Sequence, residues 1–368
     1  MSFRSHVVAY EVPECESLTG GSYGHLPPKR DAESSRRGGV SAGGPSNGPR
    51  RPGVWVAFYS RSVDDQRVRV DEATMRTWAA IALKIRTADI IVHTITVPAP
   101  SSPFAVTDEL YPSESSSQWA REPLRSAVDH LTTWANHAIP LVQHEGQVVV
   151  HQGFRWTFTL VRAALEGAAQ SMWLTQAKST HECVARLIRT VRHDIHEETK
   201  AWAALGRQTS GLESRAAGHA ERAEQWAQWG KPAGTMPAMV DLIRNGAAYE
   251  GRDPNAWEAM WRVCSAAAHG KDWAIRELQV FTEGHEWRRG QYHLTGYPNP
   301  VKLTRMLEDA TEFLDLAMIR YLLRMGADVD RELRGAIIAA AEGTPNTDGG
   351  ATVRAMREKF DGEETPAP

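Results

Sequence analysis

Apolar residues recur at three- and four-residue steps through most of the chain beyond residue 70, the period of a helix that buries one face. Leu303, Leu307, Ala310, Leu314, Ala317 and Tyr321 keep a 4-3 spacing over nearly three heptads. They follow Asn299 and Pro300, a cap and a first-turn proline, which predicts a long helix of an antiparallel bundle. Phe158, Val161, Leu165, Ala168 and Met172 mark a second such face within a helix over about 152–175. Val184, Ile188, Val191, Ile195 and Trp202 mark a third over about 179–205, stopped by Gly206. The same reasoning predicts helices over about 118–138, ending before Pro140, over the more charged stretch 213–229, from the Asp253–Pro254 cap to Gly270, and briefly after Asp330. Nearer the N-terminus, Trp78, Ile81, Ile85 and Ala88 share one side of a helix capped by Asp71 and running to about Val92.

Other segments lack this period. Residues 1–53 are rich in Gly, Pro and Ser, too poor in apolar surface to offset the entropy of ordering, and are expected to be a disordered leader. The run VWVAFY at 54–59 reads as one short strand or a buried extended lead-in, and 97–117, rich in Pro and Ser, as a linker. The tail beyond Gly343 should fray. The expected organisation is therefore a leader (1–53), a lead-in helix and linker (54–117), an all-α helical bundle (118–343) and a flexible tail (344–368).

Composition narrows the function. The 368 residues are 42% hydrophobic and 24% charged, an ordinary globular balance, and a formal charge of −3 supplies no general field for polyanions, so any nucleic acid must be held by a local patch. Cys15, Cys183 and Cys264 are scattered without disulfide or zinc spacing. No signal peptide or membrane-length apolar run is present, and a cytoplasmic protein is expected. Phosphate-binding glycine loops, a nucleophile elbow and HExxH are missing from the sequence, which removes support for the common enzyme classes that use them.

The strongest chemistry lies in NAWEAMWRVCSAAAHG. At about 100° per residue, Trp257, Trp261, Cys264 and Ala268 share one narrow face, expected to meet the core. The stripe beside it carries Glu258, Arg262, Ser265 and His269. Arginine can hold a phosphate bidentately and histidine can move a proton near neutral pH, which suffices for phosphodiester cleavage without a metal. Arg262 and His269, six residues between them on a helix of a helical protein, resemble the R-x(4-6)-H motif of the HEPN superfamily, although Val263 stands where many members carry a polar residue. The resemblance implies a bundle that dimerises and cuts RNA to leave a 2′,3′-cyclic phosphate, with Arg262 holding phosphate and His269 transferring the proton. It equally admits members that serve only as binding or scaffold modules. Arg262 could instead form an i,i+4 ion pair with Glu258, and His269 could cap the negative end of its helix.

Three further groups enter. Arg155, Arg162 and Glu166 lie one residue past the apolar stripe of the 152–175 helix. With SAAAHG they are similar to bacterial helical proteins carrying R-x-x-x-E and a later Ser-x-x-x-His-Gly, so Arg162 and Glu166 either orient His269 or a ligand, or form an interface ion pair. His193, His196 and Glu197 read as metal ligands or, better, as a solvated face; Arg186, Arg189 and Arg192 as a phosphate-contacting edge or an exposed basic stripe. The expected assignment is an RNA-cutting helical protein, with Arg262 and His269 catalytic and Ser265, Glu258, Arg162 and Glu166 supporting. It carries no cofactor and no metal, and RNA, a second copy or an antitoxin-like protein is its partner. The alternative is a non-catalytic interaction protein.

Overall fold

A computed structural model describes residues 70–139, 154–226, 234–289, 291–344 and 350–363, so the expected leader and the strand at 54–59 lie outside the described residues. The described chain is a helical bundle with one hairpin. Its elements are α1 (Glu72–Thr94), α2 (Pro103–Leu110), α3 (Ser116–Ala138), α4 (Phe154–Thr175), α5 (Thr180–Ala204), α6 (Ser210–Gln225), α7 (Met239–Tyr249), α8 (Pro254–Ala268) and α9 (Asp272–Leu278), then β1 (Gln279–Arg288), β2 (Gln291–Pro298), α10 (Pro300–Met325), α11 (Val329–Glu342) and α12 (Ala351–Glu363).

Local chemistry fixes most helix starts. The side chains of Asp71, Ser102, Ser115, Ser179, Asp253, Asn299 and Asp328 each accept a hydrogen bond from a first-turn amide, satisfying donors that a helix cannot satisfy itself. Pro103, Pro254 and Pro300 each open a helix, where the missing N–H costs nothing. At the other end of α10, Gly326 adopts φ 71°, a left-handed stop.

Helix α4 lies at the centre, packed against α3, α7, α8 and α10. The spaced faces expected of α4, α5 and α10 are buried, apart from a half-exposed Trp202. In α10 the buried set is wider than one stripe, adding Met306, Phe313, Met318 and Leu322 because neighbours cover two sides. The α3–α4 contact is the closest. A Cβ built on Gly167 would stand 2.4 Å from the Pro123 carbonyl oxygen, so only glycine lets the two backbones meet.

Several expectations change. The stretch read as a linker contains α2, with Phe104 and Thr107 fully buried; its Ser and Pro are a cap and a first-turn residue, the same device as Asn299–Pro300. A further helix, α12, follows residue 350 where fraying was expected. Neither α7 nor the antiparallel β1–β2 pair was legible as periodicity. The hairpin's strands meet chiefly one another and α9, so no core imposes a strict alternation on them.

Candidate functional site

The site forms where α8 lies across α4, and its geometry begins with the end of α8. Gly270 takes φ 69°, its N–H bonds the Ala267 carbonyl at 3.1 Å, and the Lys271 N–H bonds the Ala266 carbonyl at 2.8 Å. This is a Schellman stop. It makes His269 the C-cap residue, exposed at the rim of the α4–α8 interface. The expected inner face of α8 is rotated by about one residue: Trp257, Met260, Cys264 and Ala267 are buried, while Trp261 and Ala268 are only partly covered. That turn brings the Trp261 indole edge to α4.

Four side chains then connect in sequence. The Trp261 indole N–H donates to Glu166 Oε1 at 2.8 Å, and Arg162 Nε donates to the same oxygen at 2.7 Å. Arg162 Nη1 stands 3.0 Å from His269 Nε2. A guanidinium can only donate, so a hydrogen bond here has Nε2 as its acceptor. Of the two readings of Arg162 and Glu166, the geometry therefore contains both: they are an i,i+4 ion pair, and the pair touches His269. Arg155 lies close by, its Nη1 3.8 Å from where a Gly270 Cβ would stand.

Arg262 is placed differently. Its Nε donates to Glu258 Oε1 at 2.7 Å, and Arg244 Nη1 binds the other oxygen of the same carboxylate and Asn255 Oδ1. Those two guanidinium partners, Arg262 first, hold the Glu258 carboxyl below the usual carboxylate range. The ion pair weighed from sequence is present, and the cation in contact with the imidazole is Arg162. Ser265 is half-buried on the same stripe, its carbonyl accepting the His269 N–H at 3.1 Å. The rim thus carries Arg155, Arg162, Arg244 and Arg262 against Glu166 and Glu258, a local positive surplus despite the acidic chain.

No family model matches the chain, and no curated protein or solved structure matches it significantly. The site is read from its own chemistry. Among the described residues no group of three or more His, Cys, Asp or Glu is gathered as for a metal ion. Cys264, directly beneath the rim, is buried and its thiol is pushed up by desolvation, so it is no nucleophile. No described helix is long and apolar enough to cross a membrane.

Sequence reasoning missed three participants. Trp261 was placed in the core, and its polar edge has no periodic signature. Arg244 belongs to α7. The third is a buried relay elsewhere: the Tyr111 hydroxyl meets His219 Nδ1 at 2.7 Å, His219 Nε2 stands 3.2 Å from Glu114 Oε1, and Arg222 Nε donates to the Tyr111 oxygen at 3.3 Å. Tyr111 and His219 are only 3% and 2% exposed, so this relay fastens α6 to the α2–α3 turn and offers no access to substrate. Arg186 and Arg189 are not a freely exposed stripe; both are half-buried over Trp173, 4.4 and 4.9 Å from its ring centroid.

Proposed function

We propose that the protein is a HEPN-like, metal-independent endoribonuclease of a bacterial stress or defence system, acting at the α4–α8 rim. The observation that carries the reading is the 3.0 Å contact between Arg162 Nη1 and Nε2 of an exposed His269. An RNA phosphate arriving at the rim would draw the Arg162 guanidinium to its oxygens, because a charge-assisted bond outweighs one to a neutral ring. That releases the Nε2 lone pair beside the bound phosphate. His269 then takes the proton of the ribose 2′-hydroxyl, the 2′ oxygen attacks phosphorus, and the 5′ oxygen leaves, taking a proton from water. The products are a 2′,3′-cyclic phosphate and a 5′-hydroxyl, with Arg162 and Arg262 offsetting charge on the phosphorane. Glu166 and Trp261 keep Arg162 aimed. A second copy of the chain or an antitoxin-like protein is the expected protein partner.

The test uses purified protein and its His269→Ala and Arg162→Ala variants with RNA in EDTA. Cleavage by the parent that leaves cyclic phosphate ends, and falls about 100-fold or more in His269→Ala, supports the reading. Equal cleavage by all three, or none by the parent, removes it. One observation favours a non-catalytic interaction module instead: Arg262, the cation of the motif, is already neutralised by Glu258. On that reading Arg262→Ala would weaken capture of a protein partner while RNA is untouched by the parent.

A further inference from the structure

Away from the α4–α8 rim, a cleft of about 120 Å³ opens where the end of α4, the start of α5 and α7 meet. Trp173 on α4 stands eleven positions after Arg162, about 16 Å along the helix, so the two places are separate. Trp173 and Tyr249 wall the cleft, Leu242 and the Gly246 backbone line it, and Gln176 and Asn245 bring amides to it. Its volume approaches the roughly 150 Å³ that accepts a benzene ring in an engineered cavity.

Its charge is unbalanced. Lys178 and Arg186 line the cleft, and Arg189 joins Arg186 over the Trp173 ring. Against these stands Glu182, whose Oε1 takes Arg186 Nη2 at 2.6 Å and whose Oε2 takes the Lys178 backbone N–H at 2.7 Å. Glu250 cannot contribute, because Arg320 holds both of its oxygens at 2.8 and 3.0 Å. Among the described residues Arg189 hydrogen-bonds the Thr235 carbonyl alone, and its pKa is lowered first by burial and then by the charge of Arg186. Two partly desolvated guanidinium groups beside one carboxylate favour an incoming anion. The indole N–H of Trp173 is buried with no hydrogen-bond partner, an uncommon cost in a folded protein. Gln176 uses its N–H donors on the Gly246 carbonyl at 3.4 Å and Glu250 Oε1 at 3.2 Å, which leaves its amide oxygen for a donor on a ligand.

We propose that this cleft binds a mononucleotide, its planar base between Trp173 and Tyr249 and its phosphate at Lys178 and Arg186. Aromatic walls suit a ring, amide groups suit the edge of a base, and the surplus cations suit a phosphate. The site does not depend on RNA cleavage at the rim. A free nucleotide and the 5′-phosphorylated terminus of an RNA strand present the same chemistry, and the experiment separates them.

The full chain would be titrated by calorimetry with AMP, GMP, CMP and UMP, with adenosine and ribose 5-phosphate as fragments, and with a short 5′-phosphorylated oligoribonucleotide. At least one mononucleotide should bind about tenfold more tightly than either fragment, since base and phosphate act together. Lys178→Ala and Asn245→Leu, both at exposed positions, should each weaken it about tenfold without changing the melting temperature. The His269→Ala variant should bind it unchanged, which keeps this result distinct from the nuclease test. Tighter binding of the oligonucleotide than of every mononucleotide would assign the site to RNA ends. No saturable binding of any mononucleotide up to about 5 mM, or equal binding by the two cleft variants, would overturn the proposal.

Discussion

At the scale of single residues, the α4–α8 rim depends on one carboxylate. Glu166 accepts from both Arg162 and Trp261, and with side chains about a quarter exposed neither partner is fully rescued by water. Glu166→Ala should therefore lower stability by about 1–2 kcal/mol in urea denaturation, the range for a charged hydrogen bond discounted for partial exposure. Glu166→Gln, which still accepts from Trp261, should lose less. A second residue-scale expectation concerns His219. Its pKa is lowered, chiefly because burial disfavours the charged ring, with Arg222 and Arg215 adding repulsion and Glu114 opposing them; Tyr111, on its Nδ1 side, supplies a hydroxyl. A histidine lowered on folding contributes stability that is complete above its unfolded value of about 6.5 and is lost as pH falls through the lower folded value. Melting temperature should drop as pH falls below about 6.5, and His219→Gln should flatten that slope. An equal slope in the variant would mean that another group controls it.

At the scale of elements, what the sequence revealed was what has a period or a cap. The α10 stripe and the Asp253–Pro254 start of α8 follow from spacing and local hydrogen bonding, and both are as expected. The contact of Arg162 with His269 joins residues 107 apart and required knowledge of which helices neighbour, so sequence offered it only as one option. The Tyr111–His219 relay was hidden because Tyr111 sat in a Pro/Ser-rich stretch and His219 on a charged helix, where composition argues for exposure. Glycines show the same split between local and tertiary information. Gly167 and Gly218 are both helical, and propensity alone predicts that alanine stabilises either. A Cβ at Gly218 meets only the flexible Arg222 side chain at 3.6 Å, so Gly218→Ala should gain about 0.5–1 kcal/mol. At Gly167 it meets the Pro123 carbonyl at 2.4 Å, a backbone atom that moves only with α3, so Gly167→Ala should lose about 1–3 kcal/mol or more. Opposite shifts in thermal midpoint check the pair.

At the scale of the whole molecule, stability should be concentrated in the helices around α4 and nearly independent of the β1–β2 arm. An isolated two-stranded hairpin is marginal in water, and this one gains little from the bundle beyond its contact with α9. Its base is fastened from outside the strands: the Asn299 N–H donates to the Leu278 carbonyl at 3.0 Å, and Lys302 Nζ donates to the carbonyl and carboxylate of Glu277, both at 2.6 Å. Residues 278 and 299 are thus already adjacent before the arm leaves, so a short glycine-serine turn can replace 280–297 without moving α9 or α10. The shortened protein should keep its helical circular dichroism and melt within a few degrees of the parent, because among the described residues none of the large fully buried side chains that fill the core, such as Trp78, Phe158 and Phe313, comes from the removed segment. A collapse of the melting transition would show that the arm stabilises the bundle through contacts other than those at its base. Retention of the fold would also free the arm for a separate measurement: RNA cleavage or partner capture that disappears with it, while His269 and its neighbours stay in place, would assign the arm to recognition and leave the chemistry at the rim.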